Sequence, residues 1–471
     1  MNKITIFFVM ALVSLGLNFT ACDKDDPIKF EDVEVKNAEL KAVLVKQGFT
    51  FNAAGQLVLD EKAQNTIKLD LSGTKISDLS GLDVFPKLIE VDLSDNGYGS
   101  AFDFSLLPSQ ITAIDLTGNN IYEFDKLITV KIEENGDESI TPLRSITKLY
   151  LPETAKDNID VLMRFYRENK SKIEDGTIDM KMADDKGTLQ KYTTLRNIPD
   201  QGLRAYLKET FSDMFTGDQI DINKRFGNAQ KTSIVNIAFM SVSSFEGLQY
   251  ITNHPYWEGM GIGILSSEKV KTPRIKIGKH TTTIYFSNLD ASAGIDFSEA
   301  DMLKFIHLEG IDGIESIDLG ASPIWGQGNT DIEGDNSIGS RVNAIDCPSL
   351  KEIILPAKDK LYAYQMDLEC LPALESIDLS KIQMLYGFFM GDLPTKCKIT
   401  YPNLTDNYQP WDEPLPTYFV CSESTYNRSE TTAFINKYYD KANKVSKSPG
   451  IVPTFQGLNC PKNTAIEWEN K

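Results

Sequence analysis

Residues 88–98 read LIEVDLSDNGY and residues 111–121 read ITAIDLTGNNI. Laid over each other they share one pattern. Leu88, Val91, Leu93, Asn96 and Tyr98 match Ile111, Ile114, Leu116, Asn119 and Ile121, with 111 − 88 = 23. Alternate residues of a strand point to opposite sides, so Val91/Leu93 and Ile114/Leu116 are predicted core and their neighbours predicted surface. Each Asn falls where the strand must bend, and its amide can bond backbone groups that the turn leaves unpaired. A unit this small cannot bury its apolar face alone, so it must stack on neighbours. Those neighbours are present. Thr66, Leu69, Leu71, Thr74 and Ile76 form an earlier unit, with 88 − 66 = 22. Ile146, Leu149 and Leu151 form a later one after a longer excursion, with 146 − 111 = 35. An ordinary sheet protein with alternating strands would show the alternation without the fixed period.

The pattern L-x-x-L-x-L-x-x-N-x-L is the signature of a leucine-rich repeat, and LDLSGTKISDLSGL and VDLSDN resemble the internalin-type repeats of bacterial surface proteins. The second half carries its own series: IDCPSLKEIILP at 345–356, LECLPALESIDLS at 368–380 and LEGIDGIESIDLG at 308–320. Leu350, Ile353 and Leu355 map onto Leu374, Ile377 and Leu379, with 374 − 350 = 24. This series resembles BspA-like leucine-rich repeats. The resemblance implies that Cys347 and Cys370 are small buried turn residues, structural thiols rather than a disulfide. The fold class expected is α/β: a leucine-rich repeat solenoid with a parallel sheet on one face, irregular return segments and helical caps.

The two halves begin alike. NAELKAVLVKQGF at 37–49 and DQGLRAYLKETFS at 200–212 both have apolar residues at helical spacing, Leu40/Val43/Leu44 and Leu203/Tyr206/Leu207. Both resemble the N-terminal caps of surface leucine-rich repeat proteins. The segments 160–172 and 433–444 read as closing helices with the aromatic pairs Phe165-Tyr166 and Tyr438-Tyr439. Two tandem modules are therefore expected, 36–185 and 196–471, joined by a linker at 186–195. Ahead of them, residues 1–21 read as an export signal, with Lys3 followed by an apolar run too short to span a bilayer. Cys22 follows Thr20-Ala21 and resembles a lipobox, which implies lipidation there and a tether over 22–35. The acidic start Asp23-Lys24-Asp25-Asp26 resembles the export tag of Bacteroidota-type surface lipoproteins. The expected location is the outer membrane, exposed to the outside.

A formal charge of −19 over 471 residues argues against nucleic acid and anionic lipid as partners. Apart from Cys22 there are five cysteines and no C-x-x-C, so no zinc site is expected. The histidines His254, His280 and His307 stand in no H-E-x-x-H motif, and no serine sits in G-x-S-x-G, so no catalytic residue and no cofactor is assigned. Asn329, Asp331, Glu333 and Gly334 have the spacing of a calcium loop, but Ser340 stands where a bidentate Glu is required, so no metal is assigned either. Candidate binding residues lie on two features. One is an outward column on the first sheet, Asp70, Asp92 and Asp115, continued by Tyr150. Stacked like charges would favour a cation or a basic side chain, although L-D-L-S is also simply common in this repeat class. The other is a set of aromatics in Pro/Gly-rich loops, Tyr256, Trp257 and Trp325. They would stack on sugars or anchor a protein partner, or else lid the core. The expected function is non-catalytic recognition, by adhesion or binding of a protein. The alternative is a glycan-binding accessory lipoprotein of a polysaccharide-uptake system.

Overall fold

The computed structural model describes residues 32–134, 137–238, 241–327, 339–408 and 414–455. Cys22, the acidic start, residues 328–338 of the calcium-like loop and Cys460 lie outside the described residues. The chain is mixed α/β, with mostly parallel sheets and few helices, and no described sheet closes into a barrel.

The first sheet has six strands in spatial order of sequence: β1 Lys68–Asp70, β2 Glu90–Asp92, β3 Ala113–Asp115, β4 Lys148–Leu151, β5 Asp179–Ala183 and β6 Leu189–Lys191. All pairs are parallel except the last. Leu69, Val91, Ile114 and Leu149 stand opposite one another across these strands, which is the register of the sequence repeat. Each is buried, as are Leu71, Leu93, Leu116 and Leu151 two residues further on. The Asn positions close the bends as their chemistry requires. Asn96 Nδ2 donates to Leu71 O at 3.0 Å, while Asn119 donates to Leu93 O at 3.0 Å and to Leu116 O at 2.9 Å. The long excursion before β4 is an antiparallel hairpin, Ile128–Ile132 paired with Glu138–Pro142.

The second half builds a parallel sheet of nine strands, again in sequence order: β7 Val235–Ala238, β8 Gly261–Lys271, β9 Thr283–Asp290, β10 Phe305–Asp312, β11 Arg341–Ile345, β12 Leu361–Glu369, β13 Ile382–Gly391, β14 Thr417–Cys421 and β15 Ile451–Phe455. Between successive long strands the chain visits a second parallel sheet made of Ser316–Asp318, Glu352–Ile354, Ser376–Asp378 and Lys398–Thr400. The repeat carried by Ile353 and Ile377 belongs to this shorter sheet, not to the long one.

That register corrects the expectation for the cysteines. Ile345 pairs with Glu369, so Cys370 is the counterpart of Asp346, not of Cys347. Cys347 is a buried free thiol, as are Cys397 and Cys421. Cys370 sits one step earlier in its turn, with φ +56°, in the left-handed column that also holds Gly310, Asp346 and Asp392. It is disulfide-bonded, so it is not the structural thiol expected. A shift of one residue turns a side chain to the other side of the chain, and the two cysteines differ by that one residue.

Both opening helices form. Helix α1, Ala38–Lys46, is capped by Asn37, whose Oδ1 accepts from Leu40 N at 3.0 Å. Helix α2, Val161–Glu168, forms as expected but does not close the first half, since β5 and β6 follow it in the same sheet. Helix α3, Gln201–Thr210, is capped in the same way by Asp200, accepting from Leu203 N at 2.8 Å, and helix α4, Ser429–Tyr438, packs Phe434 and Ile435 into the second core. Tyr206 on α3 accepts at its OH from Asn236 N at 2.8 Å, covering the edge of the nine-stranded sheet. One apolar core runs from Val35 to Tyr192 and a second from Ile198 to Ile451, and the second also takes Ile159 and Met163 from the end of the first half. Residues 186–195 are not a free linker. β6 pairs with β5, and Tyr192 is buried in the first core beside Tyr166 at 5.6 Å. The described helices include none long and apolar enough to cross a membrane.

Candidate functional site

The acidic column is in register: Asp70 pairs with Asp92, Asp92 with Asp115, and Asp115 with Tyr150. Each carboxylate also has a local task. Asp70 Oδ1 accepts from Ser72 N and Oγ, Asp92 Oδ1 from Ser94 N and Oγ, and Asp115 Oδ1 from Thr117 N and Oγ1, all between 2.6 and 3.1 Å. These bonds pull the Asp70 carboxyl below its usual range. The recurrent Asp is therefore a turn-closing residue that ends each strand. The neighbouring row is cationic in part. Lys68 and Lys148 both reach Glu90 Oε1, at 3.1 and 2.8 Å, the latter across the small side chain of Ala113. Tyr150 donates to Asp179 Oδ2 at 2.6 Å, and Lys148 stands 4.3 Å from its ring centre. This face is largely self-compensated.

The loop tryptophans are core residues, which overturns their assignment as binding residues. Trp325 has no exposed surface. Trp257 is 5% exposed, and its Nε1 donates to Ser233 O at 3.0 Å. Its ring lies where a Cβ on Gly259 would be, so the glycine is what lets the indole fold inward. Tyr256 is half-buried at the junction of the two halves, not on a strand face. Its OH donates to Glu138 Oε2 and accepts from Arg167 Nη2 at 3.0 Å. Glu138 itself comes from the hairpin and is bound by Arg164 and Arg167, each at 2.6 Å. Burial pushes its carboxyl up, but Arg164, Tyr256 and Arg167 overcome this and hold it at about 2. A cleft of about 300 Å³ opens beside this junction, lined by Tyr122, His254, Arg274 and Lys276 among others. Two of its cations are already paired: Arg274 with Glu123 at 2.8 Å and Asp296 at 3.0 Å, and Lys276 with Glu299 at 2.7 Å. His254 is buried and bonded to Ile222 O at 3.0 Å, and burial lowers its pKa to about 4, so it is a neutral structural group.

The face of the nine-stranded sheet turned away from the apolar core, here termed the open face, differs, and it is half-buried. One row across it runs Tyr285, His307, Asn343, Asp367 and Phe389, in register on successive strands. The Tyr285 and His307 rings stack at 4.0 Å and 13°. A second group holds Tyr364, Tyr386 and Tyr408 with ring centres 5.0 to 5.5 Å apart, and the Arg341 guanidinium lies 4.2 Å from the Tyr364 ring. Burial pushes the Asp367 and Glu369 carboxyls well up, and the charge and contact of Asp367 push Glu369 up further. Burial also lowers the His307 pKa, against the pull of Glu309. Asn343 Oδ1 and Asp367 Oδ1 are buried without a hydrogen-bond partner. None of these residues was a candidate from the sequence. The available signal was polar alternation in FIHLEGID and LYAYQMDLE, which run into the start of the repeats at 308–320 and 368–380.

Compared with known protein families, curated proteins and solved structures, the chain matches none.

Proposed function

We propose that this chain is a non-catalytic recognition protein built as two leucine-rich repeat solenoids in tandem. In this reading lipid on Cys22 holds it at the outer face of a bacterial outer membrane. The solenoid reading is supported by the sequence period and by strands that follow one another in sheet order. The observation that carries the function is the open face of the nine-stranded sheet. Its side chains are aromatic and polar, and two of its buried acceptors have no partner. Native proteins leave few such groups, and each needs a reason. A ligand that brings donors supplies one. The Tyr364, Tyr386 and Tyr408 cluster favours a second reading, a glycan-binding accessory role, because sugar rings stack on such surfaces.

The anchor and the face are tested separately. Cys22→Ala is expected to release the protein from membranes, and protease treatment of whole cells is expected to remove the unmodified protein. Retention of the variant, or protection from protease, would refute the location. For the face, the purified chain is screened against protein and glycan arrays, and Tyr386→Ala is expected to abolish whichever signal is found. Binding that survives every substitution on this face would place recognition elsewhere.

A further inference from the structure

We propose that the open face of the nine-stranded sheet takes a cationic side chain of a partner polypeptide, a lysine ammonium or arginine guanidinium, against Asn343, Asp367 and Glu369. This rests on that face being the binding face. The geometry shows a deficit of donors. Asn343 is only 8% exposed; its Nδ2 faces His307 Nδ1 at 3.4 Å, and its Oδ1 has no partner. Asp367 is its register partner on β12, and Asp367 Oδ1 is likewise buried and unpaired. Glu369 stands two residues further along the same strand and bonds Asp367. The groups around them add negative charge. Glu309 on β10 and Asp392 beyond β13 both raise the cost of ionising the pair, and His307, which faces Glu309 at 3.4 Å, is kept toward its neutral form by burial. Arg341 lies against the rings of Tyr364 and Phe305.

The chemistry of the ligand follows from what is missing. A buried acceptor without a donor has lost its water and gained nothing in exchange. A hydroxyl-rich neutral ligand would supply donors but leave the crowded carboxylates repelling one another. An anion would add to that repulsion. A cation relieves both once the two side chains turn outward to meet it, and binding should release a proton, because it favours the ionised pair. Phe389 on one side of Asp367 and the Tyr285–His307 stack beyond Asn343 offer apolar walls for a methylene stem. A chain of net charge −19 also attracts basic partners from a distance.

The test uses the purified chain and isothermal titration with the peptide Gly-Lys-Gly-Lys-Gly, its Ser-substituted neutral counterpart and cellohexaose. The lysine peptide is expected to bind and the neutral peptide not. Asp367→Asn and Glu369→Gln should each weaken binding about tenfold, a loss of roughly 1.4 kcal/mol. Asn343→Ala should weaken it too, although it changes no charge. Titration in two buffers of different ionisation heat should show proton release, reduced in Glu369→Gln. Melting curves confirm that each variant folds; Asp367→Asn keeps the shape of the side chain and removes repulsion. Asp92→Asn on the first sheet is the control. An equal loss there would mean general electrostatic attraction and overturn the proposal. If cellohexaose binds and the lysine peptide does not, and Tyr386→Ala abolishes it, the proposal fails while the binding face stands. If no probe binds, or binding ignores all the face variants, both fail.

Discussion

Glu138 offers the sharpest test of how the two halves are joined. Its side chain is 5% exposed, comes from the hairpin that interrupts the first repeats, and meets Arg164 and Arg167 on α2 together with Tyr256 from the second half. Arg225 adds a weaker contact at 3.8 Å with a half-exposed side chain. Replacing Glu138 by Gln keeps the shape and removes the charge. Losing one partner of a buried pair costs roughly 3–5 kcal/mol, and the partial exposure of Arg167 and Arg225 reduces that to about 2–3 kcal/mol. The depressed carboxyl leads to a similar figure. A carboxyl held at about 2, against an ordinary value of 4.5, is stabilising by about 3 kcal/mol at neutral pH, at roughly 1.4 kcal/mol per pH unit. Because the folded pKa is depressed, this stabilisation is complete above pH 4.5 and is lost as pH falls from there through about 2. The assay is denaturant unfolding of both proteins across that range, with hydrogen exchange on the hairpin and on the segment around Tyr256. The variant should be weaker at pH 7, converge on the unmodified protein toward pH 2, and exchange faster at both segments. Equal stability at pH 7, or an unchanged gap at pH 2, would refute the role given to this junction.

Leu93→Ala and Leu116→Ala should each destabilise by ~2–5 kcal/mol in the same unfolding assay, since both are fully buried, and a change of a few tenths would mean the repeat register is wrong. Trp325→Ala should cost ~3–5 kcal/mol, read as a lower Tm, whereas a stable variant would return Trp325 to the surface. Asn119→Ala should cost about 1–3 kcal/mol, because Leu93 O and Leu116 O lose their donor. For the acidic column, Asp92→Asn should be nearly neutral in stability because the amide oxygen can still accept from Ser94, while Asp92→Ala should lose about 1 kcal/mol; equal effects would contradict the turn-closing role.

What could be read from the sequence followed the range of the interactions involved. The cap Asn37 bonds Leu40 and the cap Asp200 bonds Leu203, three residues away in each case, so helix starts were visible locally. The Asn at each bend and the buried Leu69, Val91, Ile114 and Leu149 repeat because successive parallel strands meet the same neighbours, and the same residue types answer that need. The burial of Trp257 and Trp325 has no such local mark. It depends on Ser233 accepting from an indole 24 residues away, and on a core that only the whole second half creates. Cys347 and Cys370 misled for a related reason: matching residue type across repeats hid a shift of one position, which only strand register reveals. The open face of the nine-stranded sheet was hidden most completely. Its row of Tyr285, His307, Asn343, Asp367 and Phe389 holds five different residue types at equivalent positions. Core packing imposes sameness from strand to strand, while a face outside the core is under no such constraint. In a chain read by its period, the residues that bind are therefore to be sought where the period supplies a position but no residue type.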